Sequence, residues 1–393
     1  MNALCRAALG ALLLATPALA APAVAAPRQQ PQPQPQADYP LPAGVPALPT
    51  AVTRHGHFYV GGEYVGAAPR QQMVGQMYVE VWAPRRITHP YPLVFFHGLG
   101  ATGTTWMQTP DGRPGWAEYF VAQGYAVYIV DGPARGRSLY NAERQGRQAV
   151  SDTAGSMRTV TNTRESGDWP QARLHTQYPG TGRPGDPIFD AAFARGVASI
   201  AGNAEQQMLV QRATTALLDR IGPAVLVTHS QAGPFGWLIA DARPQLVKGI
   251  VAVEPGGPPF EDRVLREGPS RAWGLADIRL TYDPPAATPD ELLRERDPTA
   301  EAPGLVACAR QAAPVRRLPN LAGIPIAILT GEASYHAAYD HCTARFLAQA
   351  GVANEHIRLE SRGIHGNGHG LPGELNNLVV ARLVADWLKG KRL

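Results

Sequence analysis

The chain has 393 residues, a formal net charge of +4, 17% charged and 45% hydrophobic residues, enough for one large globular domain or two ordinary ones. Nearly all its basic charge is arginine, the lysines being only Lys248, Lys389 and Lys391. No Lys/Arg cluster forms a stripe, which argues against nucleic acid as a partner.

Residues 1–25 read as a secretory signal peptide. Arg6 supplies the positive start, "AALGALLLATPALA" (7–20) the apolar run, and Ala18-Leu19-Ala20 or Ala23-Val24-Ala25 the cleavage site. The run falls short of the ~20 residues that span a bilayer, so a secreted or periplasmic protein without a stable membrane anchor is expected, a retained anchor being the alternative. Residues 26–50, including "PRQQPQPQPQADYPLPAGVPALP" (27–49), are expected to be a disordered linker, because alternating Pro and Gln cannot build a core. Cys5 leaves with the signal. Cys308 and Cys342 then sit in an oxidising compartment, where a pair tends to bridge; two free thiols are the alternative.

From residue 51 onward short apolar runs alternate with helical patterns, the signature of an α/β fold with a mostly parallel central sheet covered by helices on both faces. "HFYVGGEYV" and "QMYVEVWAP" read as antiparallel leading strands. "PLVFFHG" (92–98) and "YAVYIVDG" (125–132) follow as buried strands around the helical "GWAEYFVAQG". Residues 139–203 have no strong period and are too long for a plain connection, so a cap or lid insertion is expected. A helix follows with Leu209, Ala213, Ala216 and Leu217 on one face, stopped by Gly222-Pro223. Then come the strand "AVLVTHS", a helix (about 232–242), the strand "GIVAVEPGG" (249–257) and a second insertion (258–320). "IPIAILTGE" (324–332) and "HIRLES" (356–361) read as the last strands, and Val380, Leu383, Val384 and Trp387 face the sheet from a final helix. Residues 51–393 are thus expected to form one domain with two insertions.

In "AVLVTHSQAG" (224–233) a strand stops at Ser230 and a helix begins at once, the arrangement that exposes a nucleophile on a strained turn. Thr228 and Ala232 occupy flanking positions where such turns usually carry glycine, so an ordinary structural serine is the alternative. "FFHGLG" (95–100) lies one strand–helix–strand unit earlier, where the backbone N–H of Leu99 would pair with that of Gln231 to hold an oxyanion. A serine hydroxyl needs a base. The glycine-rich "GIHGNGHG" (363–370), between the last strand and the last helix, offers His365 and His369, of which His369 is nearer the helix and is preferred. Activity is then expected to rise through one group near pKa ~6.5–7.5. The same two histidines invite a metal reading, but no helix aligns them and no third ligand stands nearby, so no metal and no cofactor are expected. For the acid, Glu332 follows the penultimate strand and Glu254 follows "IVAV"; the local pattern leaves both open. Trp106 and Trp116 belong either to an apolar acyl pocket or to the core.

Taken together, "TPDGRPGWAEYF" (109–120), "THSQAG", "VEPGG" and "GNGHG…NNLVVARLVADW" (366–387) resemble a small group of secreted bacterial esterases within the α/β-hydrolase superfamily. The resemblance covers residues 90–138, 224–257 and the last 30. It implies Ser230 as nucleophile, His369 as base and Glu254, after the sixth strand, as acid. It also implies that Thr228 and Ala232 are tolerable, since related members carry an elbow of the "SHSQSG" type. The chain departs from the group at Leu99-Gly100, where some relatives have a cysteine pair, and at Gly370-Leu371-Pro372, where an apolar Met-rich run is expected. Its two insertions also look longer, and these departures are all placed at the pocket. The expectation is a secreted serine hydrolase that cleaves small-molecule carboxylic esters through an acyl-enzyme. The alternatives are an inert binding protein of the same fold, or a hydrolase of amide, lactone, urethane or polyester bonds.

Overall fold

The computed structural model describes residues 49–393, so the signal peptide and almost all of the Pro/Gln linker lie outside the described residues. Eight strands form one sheet: β1 (Arg54–Val65), β2 (Gln72–Ala83), β3 (Leu93–Phe96), β4 (Val127–Asp131), β5 (Ala224–His229), β6 (Val247–Val253), β7 (Ile326–Thr330) and β8 (Glu355–Arg358). Their order is β1-β2-β4-β3-β5-β6-β7-β8. β2 is antiparallel to β1 and to β4, and the other pairs are parallel. The chain leaves β3 in one direction and returns on its other side as β5, so the carboxyl ends of these two strands flank a topological switch point, where α/β sheets place their ligands.

Residue alternation along the strands divides the core. Leu226, Ile250 and Ile328 face one side with the helices α2 (Asn203–Ile221), α3 (Gly233–Ala242) and α4 (Asp340–Gln349). Val227, Val251 and Leu329 face the other side with α1 (Trp116–Ala122) and α5 (Asn377–Gly390). α5 buries Val380, Ala381, Val384, Trp387 and Leu388, a spacing of three and four that lays one stripe on the sheet. Each large side chain so buried contributes about 1.5–3 kcal/mol. Trp106 and Trp116 are fully buried here, 5.5 Å apart and packed with Phe95 and Phe120, so both are core rather than pocket wall.

The segment 139–203 holds short helices, Thr153–Ser156, Thr163–Ser166 and Pro187–Ala194, and Gln148–Ala149 pairs with Ser199–Ile200 across its neck. The segment 258–320 does not line the pocket. Its Phe260, Trp273, Leu275, Leu280, Tyr282 and Leu292 are buried and extend the core around α3 and α4, because apolar side chains gain most by joining an existing core. A disulfide between Cys308 and Cys342 ties this segment to α4 across 34 positions, a loop worth ~4 kcal/mol in the chain-entropy model.

Candidate active site

β5 ends at His229, and Ser230 follows with φ 56°, a left-handed backbone that costs a side-chain-bearing residue ~1–3 kcal/mol. Glu254, directly after β6, has φ 47°. The two turns brace each other: the Gly256 N–H donates to the Ser230 carbonyl at 2.7 Å. A Cβ on Gly233 would stand 2.4 Å from the Pro255 Cβ, and one on Gly236 would stand 3.3 Å from the Thr228 Cγ2. The close approach of strand and helix that flanking glycines normally allow is therefore provided by glycines inside α3, and Thr228 fits beside them.

The structure brings Ser230, His369 and Glu254 into one line. The Ser230 Oγ lies 2.9 Å from the His369 Nε2, and the His369 Nδ1 lies 2.5 Å from the Glu254 Oε2. Glu254 is completely buried. Its Oε1 accepts the Gly331 N–H at 2.8 Å, and its Oε2 also accepts the Ser334 hydroxyl at 2.8 Å. A carboxylate at Oε2 fixes the proton of the imidazole on Nδ1 and leaves the Nε2 lone pair facing the serine. Glu332 stands apart from this line: its Oε1 is 3.2 Å from the His365 Nδ1, and its Oε2 accepts the Gly366 N–H at 2.8 Å. His365 and His369 are thus held by different carboxylates, and His365 is exposed.

His369 is enclosed by aromatic and polar side chains. The His229 Nε2–H donates to the His369 carbonyl at 2.9 Å. The His336 ring stacks on it at 4.8 Å and 3°, itself held by Asp340 at 2.8 Å and the Tyr339 hydroxyl at 3.1 Å. The Tyr335 hydroxyl lies 3.2 Å from the same Nε2 that faces Ser230. Burial, reinforced by His336 and His229, holds the His369 imidazole well below its ordinary pKa. Burial and the Asp340 charge push the Glu254 carboxyl upward, while the donors from Gly331 and Ser334 oppose them by stabilising the carboxylate.

The loop after β3 is set by two donors. The buried Arg135 Nη1 donates to the Gly98 carbonyl at 2.9 Å, and its Nη2 donates to the Gln231 Oε1. The His97 Nε2 accepts the Gly132 N–H at 3.0 Å, so its proton is on Nδ1, which donates to the same Gly98 carbonyl at 3.0 Å. Burial pushes Arg135 down to about 10 and His97 to about 4. In a planar trans peptide the next N–H points away from that carbonyl, so Leu99 turns its N–H away from Arg135 and His97. That N–H donates to no acceptor among the described residues.

A cavity of about 200 Å³ adjoins Ser230 and His369, bordered by Gly98, Leu99, Val160, Tyr178 and Arg195. A second chamber of about 410 Å³, walled by Phe189 and Phe193, shares Leu99, Val160, Thr161 and Ala192 with it. Ser334, Tyr335 and Arg135 belong to no motif in the sequence, and His229 lies in "THSQAG" without a role of its own there. "GEASYH" drew attention only to Glu332, although Ser334 and Tyr335 stand two and three places on. Arg135 carries no local signal, since its partners are 37 and 96 positions away.

This fold, with a serine on a strained turn at the switch point, is that of the alpha/beta hydrolase family, to which the chain belongs: the family model matches residues 93–383. Among relatives, the chain is 45% identical over 332 residues to the probable secreted lipase phiG of Fungal sp. (strain ATCC 74256), covering 84% of this chain and 88% of that protein. Among solved structures, a bacterial esterase determined at atomic resolution is similar in fold, with a TM-score of 0.58 at 23% identity, covering 88% of this chain and 99% of that one.

Proposed function

We propose that the protein is a secreted serine hydrolase of carboxylic esters, with Ser230 as nucleophile, His369 as base and Glu254 as the acid that orients it. The observation that carries this reading is the unbroken hydrogen-bonded line from the buried Glu254 through both ring nitrogens of His369 to the Ser230 hydroxyl. Ser230 Oγ bonds to the ester carbonyl carbon as its proton passes to Nε2, and the carbonyl π electrons move to oxygen. The Leu99 and Gln231 N–H groups hold that oxyanion, each donor being worth ~3 kcal/mol of transition-state stabilisation. The tetrahedral intermediate collapses, the alkoxide leaves with the proton from Nε2, and water repeats the cycle on the acyl-enzyme. Glu254 faces the imidazolium in both halves. The ester as the bond cleaved, and export through residues 1–25, are supported by the likeness to a probable secreted lipase.

The test is hydrolysis of p-nitrophenyl esters of graded chain length. Ser230→Ala should lose at least ~10³-fold in kcat. Glu254→Gln keeps the shape but not the charge, so its kcat should fall ~10²–10⁴-fold with little change in KM, while Glu332→Gln stays within about tenfold of wild type. Thermal melting first establishes that each variant is folded, because a buried acid also bears on stability. A fully active Glu254→Gln would return the acid to Glu332.

A further inference from the structure

We propose that the cavity beside Ser230 is built for an ester that also carries a carboxylate, and that Arg195 with Tyr178 forms its anion-binding pair. The proposal rests on Ser230 as nucleophile and names the substrate class for that site.

Most of the cavity wall is apolar, as Leu99, Ala101, Pro110 and Val160 illustrate, yet two polar groups border it without the partners their burial demands. The Arg195 Nη1 donates to the Gln108 carbonyl at 2.8 Å. Among the described residues no carboxylate forms an ion pair with it, and burial pushes its guanidinium below the ordinary value. The Tyr178 hydroxyl is buried without a hydrogen-bond partner among the described residues. Burial, with the charge of Asp186 and more weakly Asp111, pushes that phenol up to about 12, against the opposing pull of Arg195.

None of the acids in the neighbourhood is bonded to Arg195 or to the Tyr178 hydroxyl. Asp186 accepts the Ile188 N–H at 2.8 Å as a helix cap, and Asp111 accepts from the Arg113 Nε at 2.6 Å through Oδ2, its buried Oδ1 having no hydrogen-bond partner among the described residues. Glu374, which also borders the cavity, is taken up by the His175 Nε2 at 2.9 Å, the Gly368 N–H at 2.8 Å and the Asn367 amide at 2.7 Å. A cation and a hydroxyl donor therefore remain against apolar walls beside the nucleophile. A purely aliphatic ester would displace water from both and give nothing back, which is costly for a charge above all. A carboxylate accepts from both, and the planar guanidinium suits its two oxygens. The adjoining chamber of about 410 Å³ takes the remaining apolar part.

Two substrate pairs in which a carboxylate stands in place of a terminal methyl group test this. In monoethyl adipate against ethyl hexanoate the carboxylate is on the acyl side; in acetoxybutanoate against butyl acetate it is on the alcohol side. The readout is the ratio of kcat/KM, charged over neutral, which does not depend on the folded fraction of a variant. Wild type should favour the charged member at least tenfold in one pair. Arg195→Met should reduce that ratio at least tenfold, Arg195→Lys should keep part of it, and Tyr178→Phe should fall between. A wild-type ratio of one or less in both pairs overturns the proposal, as does Arg195→Met lowering both members equally. Should wild type hydrolyse none of the four esters, the nucleophile reading has failed, and calorimetric binding of monoethyl adipate still reads the anion site. Binding lost in Arg195→Met supports it, and no binding to wild type overturns it.

Discussion

In the proposed mechanism His369 acts as the base, which requires its Nε2 to be unprotonated. Its imidazole is held well below the ordinary 6.5 by burial first and by His336 and His229 next. A depressed value keeps the neutral form to lower pH, so activity is lost only as pH falls through the folded value. The acid limb of kcat/KM should therefore have its midpoint below 6.5, lower than the ordinary imidazole range expected from sequence alone. Stability has the same sign: between the folded value and 6.5 the unfolded chain binds the proton more tightly, so acidification destabilises the protein. A pH–rate profile with its midpoint above 6.5 would contradict this. Ser230 and His369 stand out in the sequence because the proposed chemistry demands fixed residue types at strand ends, whereas the local pattern leaves Glu254 and Glu332 open and only the resemblance favours Glu254. The depth of their burial is not legible there, because it is created by His336 and Tyr335, brought over the ring from a turn that sequence reading connected only with Glu332.

At the level of elements, the contact between the two strand-end turns governs the geometry. Read in sequence, Thr228 and Ala232 weakened the case for an elbow, because close strand–helix packing was looked for only beside the serine. In three dimensions the close approaches fall on Gly233, one residue past Ala232, and on Gly236, a helical turn further on. Gly233→Ala should therefore be the disruptive change: its Cβ would meet the Pro255 Cβ at 2.4 Å and the Gly256 nitrogen at 2.9 Å, forcing the segment behind Glu254 to move. A loss of about 1–3 kcal/mol in thermal unfolding is expected, together with a fall in kcat larger than the fall in stability explains. Unchanged Tm and kcat would show that the turn yields freely. Gly236→Ala, at 3.3 Å from the Thr228 methyl, should be milder on both measures.

On the scale of the whole molecule, the alternation of buried strands and helices could be read from sequence because strands covered on both faces are continuously apolar. The two irregular segments could not be placed that way. Their short elements lack a period, and their positions are fixed by bonds across long separations. The segment 139–203 is fastened on both sides of the cavity. On one side the Trp169 indole N–H donates to the Ala333 carbonyl at 3.0 Å, the Thr176 N–H to the Gly366 carbonyl at 2.9 Å, and His175 pairs with Glu374 at 2.9 Å, both nearly buried. On the other side the Val197 N–H donates to the Gly100 carbonyl at 2.9 Å and the Gly100 N–H to the Ser199 hydroxyl at 3.1 Å.

A roof fastened at both eaves has a consequence for how the molecule would meet oil. A lid that swings open at an oil–water boundary gains by spreading its apolar underside on the oil, and turnover then jumps once droplets form. Here such a swing would break the buried His175–Glu374 pair together with the Trp169, Thr176 and Val197 bonds, and oil offers no partners to replace them. Esters should accordingly enter dissolved, through a standing doorway. With tributyrin, the rate should climb as a single hyperbola and level off across the solubility limit; a sharp rise at that limit would show that the roof lifts.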